Sequence, residues 1–126
     1  HQEVRVMMKF DHLNLPVSNL DRSRDWYMST LGLKVEFEVP DQRTVAPQDG
    51  DGFAIFLQES ESPVTAGGTA LWFQVDDVDA THAEWSKRGV AFAYGPQKVF
   101  WGYGAELHDP DGYVVRLWDA RSMKEK

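Results

Sequence analysis

An internal repeat constrains the fold of this chain more than any other feature of its sequence. Asp109-Pro110-Asp111-Gly112 precedes an alternating apolar run that ends at Asp119, and Asp49-Gly50-Asp51-Gly52 precedes a similar run that ends at Glu59. Gly52 and Gly112 lie 60 positions apart. An Asp-Gly turn followed by alternating apolar residues is typical of a turn that leads into a β-strand. The two runs therefore predict equivalent strands in two copies of one unit.

A second pair of segments supports the repeat. His12-Leu13-Asn14-Leu15-Pro16-Val17 and Ala70-Leu71-Trp72-Phe73-Gln74-Val75 begin 58 positions apart. Each is followed by helix-capping residues and then by a helical pattern that stops at a glycine. Each half thus predicts one strand, one helix and several further strands. In chain order we expect strands at 9–15, 33–39, 43–46, after Gly52, and at 69–75, 90–94, 98–101, 103–108 and 113–118, with helices ending near 30 and 88.

Composition excludes several classes of function. The net charge of −7 and the scattered Lys and Arg residues argue against a nucleic-acid partner, which requires a clustered basic surface. The absence of cysteine excludes a disulfide framework, a thiolate metal site and a cysteine nucleophile. We find no apolar segment long enough for a membrane span or a signal peptide, so we expect no membrane partner and a cytoplasmic protein.

Three motifs carry a family resemblance: Leu31-Gly32-Leu33 after the first helix, Val75-Asp76-Asp77-Val78 before the second, and the turn Asp109-Pro110-Asp111-Gly112-Tyr113. With the repeat, they resemble the vicinal oxygen chelate (VOC) superfamily of glyoxalases, bleomycin resistance proteins and extradiol dioxygenases. The resemblance implies an α+β fold in which two tandem βαβββ modules with curved mixed sheets form a cleft, commonly in a homodimer. The implied domain covers residues 8–119, with module 1 at about 8–59, a linker at 60–68, module 2 at about 69–119, and terminal tails at 1–7 and 120–126.

The resemblance also implies where a metal would bind. Metal-dependent members take ligands from the first and last strands of each module, and the matching positions are occupied here by His12, Phe56, Ala70 and Arg116. Only His12 can coordinate a divalent cation, and a guanidinium places a fixed positive charge beside the site. We therefore predict no metal and no cofactor, as in the metal-free bleomycin-resistance branch.

A rearranged metal site stays open at this point. A shifted strand register would bring one or two of Glu59, Glu106 and His108 inward. The alternative for Glu59 and Asp119 is that both are solvated acids at equivalent strand ends, which is common for carboxylates.

Aromatic side chains take the place of metal ligands on the predicted cleft face. Strand alternation places Phe56, Trp72 and Trp118 on the same face as Arg116, while Trp101 and Tyr103 flank Gly102 at the mouth. Rings combined with polar groups fit a pocket for an aromatic or anionic small molecule, with antibiotics among the candidates. The predicted ligand-binding residues are His12, Asn14, Phe56, Gln58, Trp72, Gln74, Trp101, Tyr103, Arg116 and Trp118.

Two other functions stay open. In the first, the chain is a VOC-type isomerase, epimerase, lyase or dioxygenase, with a rearranged metal site or with His12 as general base and Arg116 stabilising an enolate-like charge. In the second, the aromatic residues fill a core or a dimer interface, and the chain is an interaction module without a ligand.

Overall fold

A computed structural model of the chain describes residues 8, 10–39, 44–48 and 54–123. Module 1 contains β1 (His12–Val17), α1 (Leu20–Ser29), β2 (Lys34–Val39), β3 (Thr44–Gln48) and β4 (Ala54–Glu59). Module 2 contains β5 (Ala70–Gln74), α2 (Val78–Lys87), β6 (Tyr94–Val99), β7 (Gly102–His108) and β8 (Val114–Trp118), and a short helix α3 (Ala120–Met123) follows. The order βαβββ therefore occurs twice.

Each module forms one four-stranded mixed sheet, in the order β1-β4-β3-β2 and β5-β8-β7-β6. The first strand of each module runs parallel to the last, with His12 beside Ala54 in one sheet and Ala70 beside Val114 in the other. These pairs carry the same offsets of 58 and 60 residues that the sequence repeat shows. The predicted α+β fold of two tandem βαβββ modules is confirmed.

Local signals fix where the helices begin and end. The side chain of Asn19 accepts a hydrogen bond from Arg22 N, and Asp77 accepts one from Ala80 N, so a polar side chain caps the helix of each module. Gly32 and Gly89 follow the two helices with φ of 74° and 88°. This left-handed conformation ends a helix, and glycine adopts it without strain.

The core collects the strand residues that face the helices. Leu15, Val17, Leu57, Val115 and Leu117 are all buried, and the residues alternating with them lie on the opposite face of each sheet. Full burial of one such side chain contributes about 1.5–3 kcal/mol to folding. The period of two therefore leaves one face of each sheet available for function.

The loop between the last two strands joins the modules. The Tyr27 hydroxyl donates to Asp109 Oδ2 at 2.7 Å, and the Tyr113 hydroxyl donates to the carbonyl oxygen of Pro16 at 2.6 Å. Burial raises the pKa of Asp109, although hydrogen bonds from Tyr27 and from two backbone amides oppose the rise. In addition, Arg88 donates to the carbonyl oxygens of Ser29 and Thr30 at the end of α1.

The predicted strands at 90–94 and 98–101 are wrong, because one strand, β6, covers Tyr94–Val99. The strand continues through Gly95-Pro96, and its pairing with β7 shifts register between Tyr94 and Gln97. In the expected C-terminal tail, residues 120–123 form α3. The predicted turn Asp49-Gly50-Asp51-Gly52 lies outside the described residues.

Candidate functional site

The candidate site lies on the face of the second sheet that is turned away from the core. Trp72 of β5 is the Cα partner of Arg116 of β8, and Arg116 is in turn the partner of Glu106 of β7. Side chains at paired positions point to the same side of a sheet. Three neighbouring strands therefore place an indole, a guanidinium and a carboxylate in one row.

Aromatic rings surround the guanidinium. Arg116 Cζ lies 5.1 Å from the ring centroid of Trp72, 5.3 Å from that of Phe100 and 5.8 Å from that of Trp101. Trp72 and Trp101 meet edge to face, with centroids 4.8 Å apart. These distances are within the range of cation–π attraction. We call these four residues the aromatic-arginine cluster.

Glu106 holds the cluster in place from one side. Its Oε1 accepts hydrogen bonds from Arg116 Nε at 2.9 Å and from the Tyr94 hydroxyl at 3.2 Å, and Trp101 Nε1 donates to that hydroxyl at 3.1 Å. His108 Nε2 lies 3.5 Å from Glu106 Oε2. The Arg116 and Glu106 side chains are only 19% and 15% exposed. Burial and the adjacent Glu106 carboxylate raise the pKa of Tyr94, so its hydroxyl keeps its proton and donates.

A glycine makes room for one of the rings. A Cβ at Gly104 would collide with the carbonyl oxygen of Leu117 and with the six-membered ring of Trp101. Trp101 therefore packs against the bare backbone of β7. Position 104 requires glycine because the indole approaches the strand too closely for any side chain.

Arg116 keeps free donors inside this cluster. Its Nε donates to Glu106, while within the described part of the chain Nη1 and Nη2 have no hydrogen-bond partner. A guanidinium has five N–H donors, so four are available. The ring faces and these donors can hold a planar molecule that carries acceptor oxygens.

Module 1 presents the corresponding face. The imidazole of His12 stacks on the ring of Phe56, with centroids 3.7 Å apart, and Asn14 Nδ2 donates to Gln58 Oε1 at 3.1 Å. Asp11 Oδ2 lies 2.6 Å from His12 Nδ1. Four predicted site residues are therefore in contact in two pairs, at positions equivalent to Ala70, Trp72, Arg116 and Trp118 of module 2.

The remaining predicted residues divide between two locations. Gln74 and Trp118 are Cα partners on the face that carries Trp72 and Arg116. Tyr103 lies elsewhere, because its hydroxyl donates to Asp79 Oδ1 in α2 at 2.7 Å. That hydrogen bond, together with burial, raises the pKa of Tyr103 to about 12. The structure thus brings Trp101 to the cluster and leaves Tyr103 on the helix side of the sheet.

A cavity also lies on the helix side. It has a volume of about 630 Å³ and is bounded by α2, α3 and the hairpin of β6 and β7. Phe100 and Trp101 line it and also contact Arg116. The aromatic-arginine cluster itself is an open surface, on which Trp72 is 45% exposed and Phe100 89% exposed.

The residues at the family's metal positions do not fit a metal ion. Phe56 and Ala70 have no ligating atom, and Arg116 pairs with Glu106 among aromatic rings. Across residues 8, 10–39, 44–48 and 54–123, no three His, Cys, Asp or Glu side chains are grouped suitably for a metal.

The acids considered as ligands of a rearranged metal site, and the equivalent strand-end acid Asp119, bind other groups of the protein. Glu106 binds Arg116, while Glu59 Oε1 accepts from Leu20 N at 3.0 Å at the start of α1. Asp119 accepts from Val78 N at 2.7 Å at the start of α2. The interpretation of Asp119 as a solvated acid is wrong, since it is only 1% exposed. Each acid that ends a module's last strand instead binds the first amide of that module's helix.

Sequence reasoning missed four contributors to these surfaces. Tyr94, Phe100 and Asp11 were not predicted site residues, and Glu106 was considered only as a metal ligand. Alternation along β7 places Glu106 on the same face as Gly104 and His108. Its contact with Arg116 could therefore have been predicted from the pairing of the last two strands. The sequence contains no comparable signal for Tyr94, because the register shift of β6 changes its position.

Two tandem βαβββ modules, each with one sheet face turned away from the core, define a class of proteins. The chain belongs to the Glyoxalase/Bleomycin resistance protein/Dioxygenase superfamily, whose family model matches residues 9–117. The resemblance inferred from the three motifs is thereby confirmed.

Solved structures of similar proteins include ligand-binding members. TnmS3, an antibiotic binding protein from Streptomyces sp. CB03234, is 28% identical with a TM-score of 0.75, and the match covers 92% of this chain and 98% of that one. The bleomycin-binding protein from Streptomyces verticillus, solved with copper(II)-bleomycin, is 23% identical with a TM-score of 0.72, over 90% and 99% of the two chains. Protein ATC0852 from Agrobacterium tumefaciens is 30% identical with a TM-score of 0.70, over 90% and 98%.

The search of curated proteins produced no match. In the described part of the chain, no helix has the length and apolar character needed to cross a bilayer.

Proposed function

We propose that this protein binds a small molecule containing a flat aromatic ring system, and that the aromatic-arginine cluster is its binding surface. The observation that carries the proposal is the exposure of the rings around a partly buried cation: Trp72 is 45% and Phe100 89% exposed, whereas the Arg116 side chain is 19% exposed. A ring system laid on this surface covers apolar area and gains contacts with ring faces.

The local charge indicates which polar groups the ligand carries. Glu106 neutralises Arg116, so the cluster has no net charge while four N–H donors remain. Such a surface suits carbonyl, phenol, phenolate or carboxylate oxygens on the ring system. The antibiotic binding by TnmS3, a protein 28% identical to this chain, is consistent with a ligand of this kind.

The cluster is open in a single chain, and we propose that a second copy provides the opposite wall. Ligand pockets commonly enclose most of the ligand surface, which one exposed sheet face does not do. Sedimentation equilibrium tests the homodimer. A mass of one chain at concentrations where ligand binds would contradict it.

The binding proposal is tested with one ring system in three charge states: anthracene carboxylate, anthracene methanol and anthracene methylammonium, with bleomycin beside them. Calorimetry gives each Kd for the wild type and for Trp72→Ala and Met28→Ala. Met28 is an exposed apolar residue of α1, which makes it a matched control. We expect Trp72→Ala to weaken binding by roughly tenfold or more and Met28→Ala to leave it unchanged.

The three charge states separate the polar contribution. The carboxylate should bind best, because it can accept two hydrogen bonds from Arg116, and Arg116→Gln should remove its advantage over the methanol. Equal binding to wild type and Trp72→Ala would refute the proposed surface. Failure of all four compounds to bind would refute the aromatic ligand class.

A second candidate function is proton transfer at His12. The Asp11 carboxylate 2.6 Å from Nδ1 orients the ring and favours the tautomer with its proton on Nδ1, which leaves Nε2 as a base. In this case, carbonyl compounds bound by the protein should exchange an adjacent C–H for deuterium in D₂O. His12→Ala should abolish the exchange, and the absence of exchange in the wild type would rule this function out.

A further inference from the structure

The 630 Å³ cavity on the helix side of module 2 is distinct from the aromatic-arginine cluster, although Phe100 and Trp101 border both. Its lining comes from α2, α3 and the β6–β7 hairpin, and includes Lys98, Val99, Trp101, Tyr103 and Arg121. The volume is within the range of small-molecule pockets. The lining combines aromatic rings with charged side chains, so it can hold a ring that carries a charged group.

The charges of the lining favour an anion. Lys98 and Arg121 contribute two cations to the lining against the single carboxylate of Asp79, while Asp77 and Asp119 act on Tyr103 from outside the lining. Within the described residues, the Lys98 ammonium has no hydrogen-bond or ion-pair partner. Arg121 touches Asp77 only at 3.5 Å through one nitrogen and is 68% exposed. Both cations can therefore turn toward a ligand without breaking a buried contact.

The carboxylate in the lining is already engaged. Asp79 Oδ1 accepts the Tyr103 hydroxyl at 2.7 Å, which reduces its repulsion of a nearby anion. The Tyr103 oxygen keeps lone pairs, so it can accept a hydrogen bond from a ligand hydroxyl. Trp101 and Val99 supply the apolar wall.

We propose that this cavity is a second binding site, for a small aromatic acid whose carboxylate or sulfonate lies between Lys98 and Arg121. The site is independent of the aromatic-arginine cluster in its charged residues, since Arg116 and Glu106 do not line it. Only the hairpin residues Phe100 and Trp101 border both surfaces.

The test uses naphthoate as probe and naphthalene methanol as its neutral analogue. Nitrogen-15 NMR follows the backbone amides of Gly102 and Ser122, which line the cavity, and the Arg116 Nε–H, which reports the cluster. The double variant Lys98→Gln/Arg121→Gln removes both cations. Lys34→Gln, at an exposed lysine of β2, is the matched control, and Arg116→Gln tests the other surface.

We expect naphthoate to shift the Gly102 and Ser122 amides in the wild type, Lys34→Gln and Arg116→Gln. The double variant should bind at least about tenfold more weakly, because two charge-assisted contacts are lost. Naphthalene methanol should bind the wild type more weakly than naphthoate does. Its own affinity should be the same for the wild type and the double variant. Unchanged naphthoate affinity in the double variant, or shifts confined to Arg116 Nε–H, would overturn the second site without affecting the first proposal.

Discussion

Replacing Asp119 by alanine should strongly destabilise the protein, although the residue lies outside both proposed binding surfaces. The Asp119 carboxylate is buried at the end of β8 and accepts two backbone hydrogen bonds, from Val78 N and from Ser122 N, both at 2.7 Å. The first N–H groups of a helix have no partner inside the helix. Alanine would leave the donors at the starts of α2 and α3 without an acceptor, in a site that water does not reach.

The magnitude follows from these two contacts. A hydrogen bond to a charged group contributes about 1.5–3 kcal/mol, and loss of a helix cap costs about 0.5–2 kcal/mol. Since the two contacts share one carboxylate, we expect Asp119→Ala to lower the free energy of unfolding by about 2–4 kcal/mol. For a domain of this size that corresponds to a fall in Tm of roughly 8–15 °C.

The assay is urea unfolding followed by circular dichroism, with Asp76→Ala as the control. Asp76 is exposed, lies near the same helix start and carries the same charge, so it controls for electrostatics. We expect the control to lie within about 0.5 kcal/mol of the wild type. A loss below about 1 kcal/mol for Asp119→Ala, or an equal loss in both variants, would refute the capping argument.

The pH dependence has a defined sign. Burial alone would raise the pKa of Asp119, but the hydrogen bonds from Val78 and Ser122 outweigh it and the pKa is lowered. A lowered carboxyl pKa stabilises the folded protein above the unfolded pKa, and the stabilisation disappears as pH falls through the folded pKa. The difference between wild type and Asp119→Ala should therefore be constant above about pH 5 and shrink below about pH 4. A difference that grows on acidification would contradict the capping role.

Three other contacts lead to separate expectations. Gly104→Ala should displace Trp101 and weaken aromatic ligand binding, as measured by calorimetry. Gly68→Ala should not, because the added Cβ meets nothing within 4 Å, and normal binding by Gly104→Ala would refute the packing argument. Tyr27→Phe removes the donor to the Asp109 carboxylate, so urea unfolding should show a free energy of unfolding lower by about 1.5–3 kcal/mol, with a difference that increases as pH rises through the Asp109 pKa. A difference independent of pH would refute the stabilising role of this hydrogen bond. Arg88→Lys keeps the charge but loses the paired donors at the end of α1, and thermal unfolding should show a loss of about 0.5–1 kcal/mol; no change in Tm would show that this link between modules is not stabilising.

Much of the fold was predictable because its signals are local. Caps such as Asn19 and Asp77, stops such as Gly32 and Gly89, and strand alternation are all encoded within a few residues. The repeat then supplied the topology, since equal offsets in the first and last strands of each half imply equal pairing. The exception was β6, where two short strands were predicted and pairing with β7 instead forms one strand with a register shift.

The candidate site was only partly predictable. Alternation along single strands assigned Trp72 and Arg116 to one face, and the structure places them in contact. Alternation along one strand does not tell which neighbouring strand supplies a partner. Glu106 was therefore missed as the partner of Arg116, and Tyr94 as the partner of Trp101. Tyr103 was assigned to the mouth, although its hydroxyl contacts α2.

By itself, the sequence determined the duplicated βαβββ order, the family, and the loss of metal-ligating side chains at three of the four family positions. All of these depend on residue type and spacing along the chain. Only the tertiary structure decided that Glu106 neutralises Arg116, that Asp119 is a buried helix cap, and that a cavity lined by Lys98 and Arg121 lies beside the aromatic-arginine cluster. Those properties depend on distances between residues far apart in sequence, and the packing of strands and helices sets such distances.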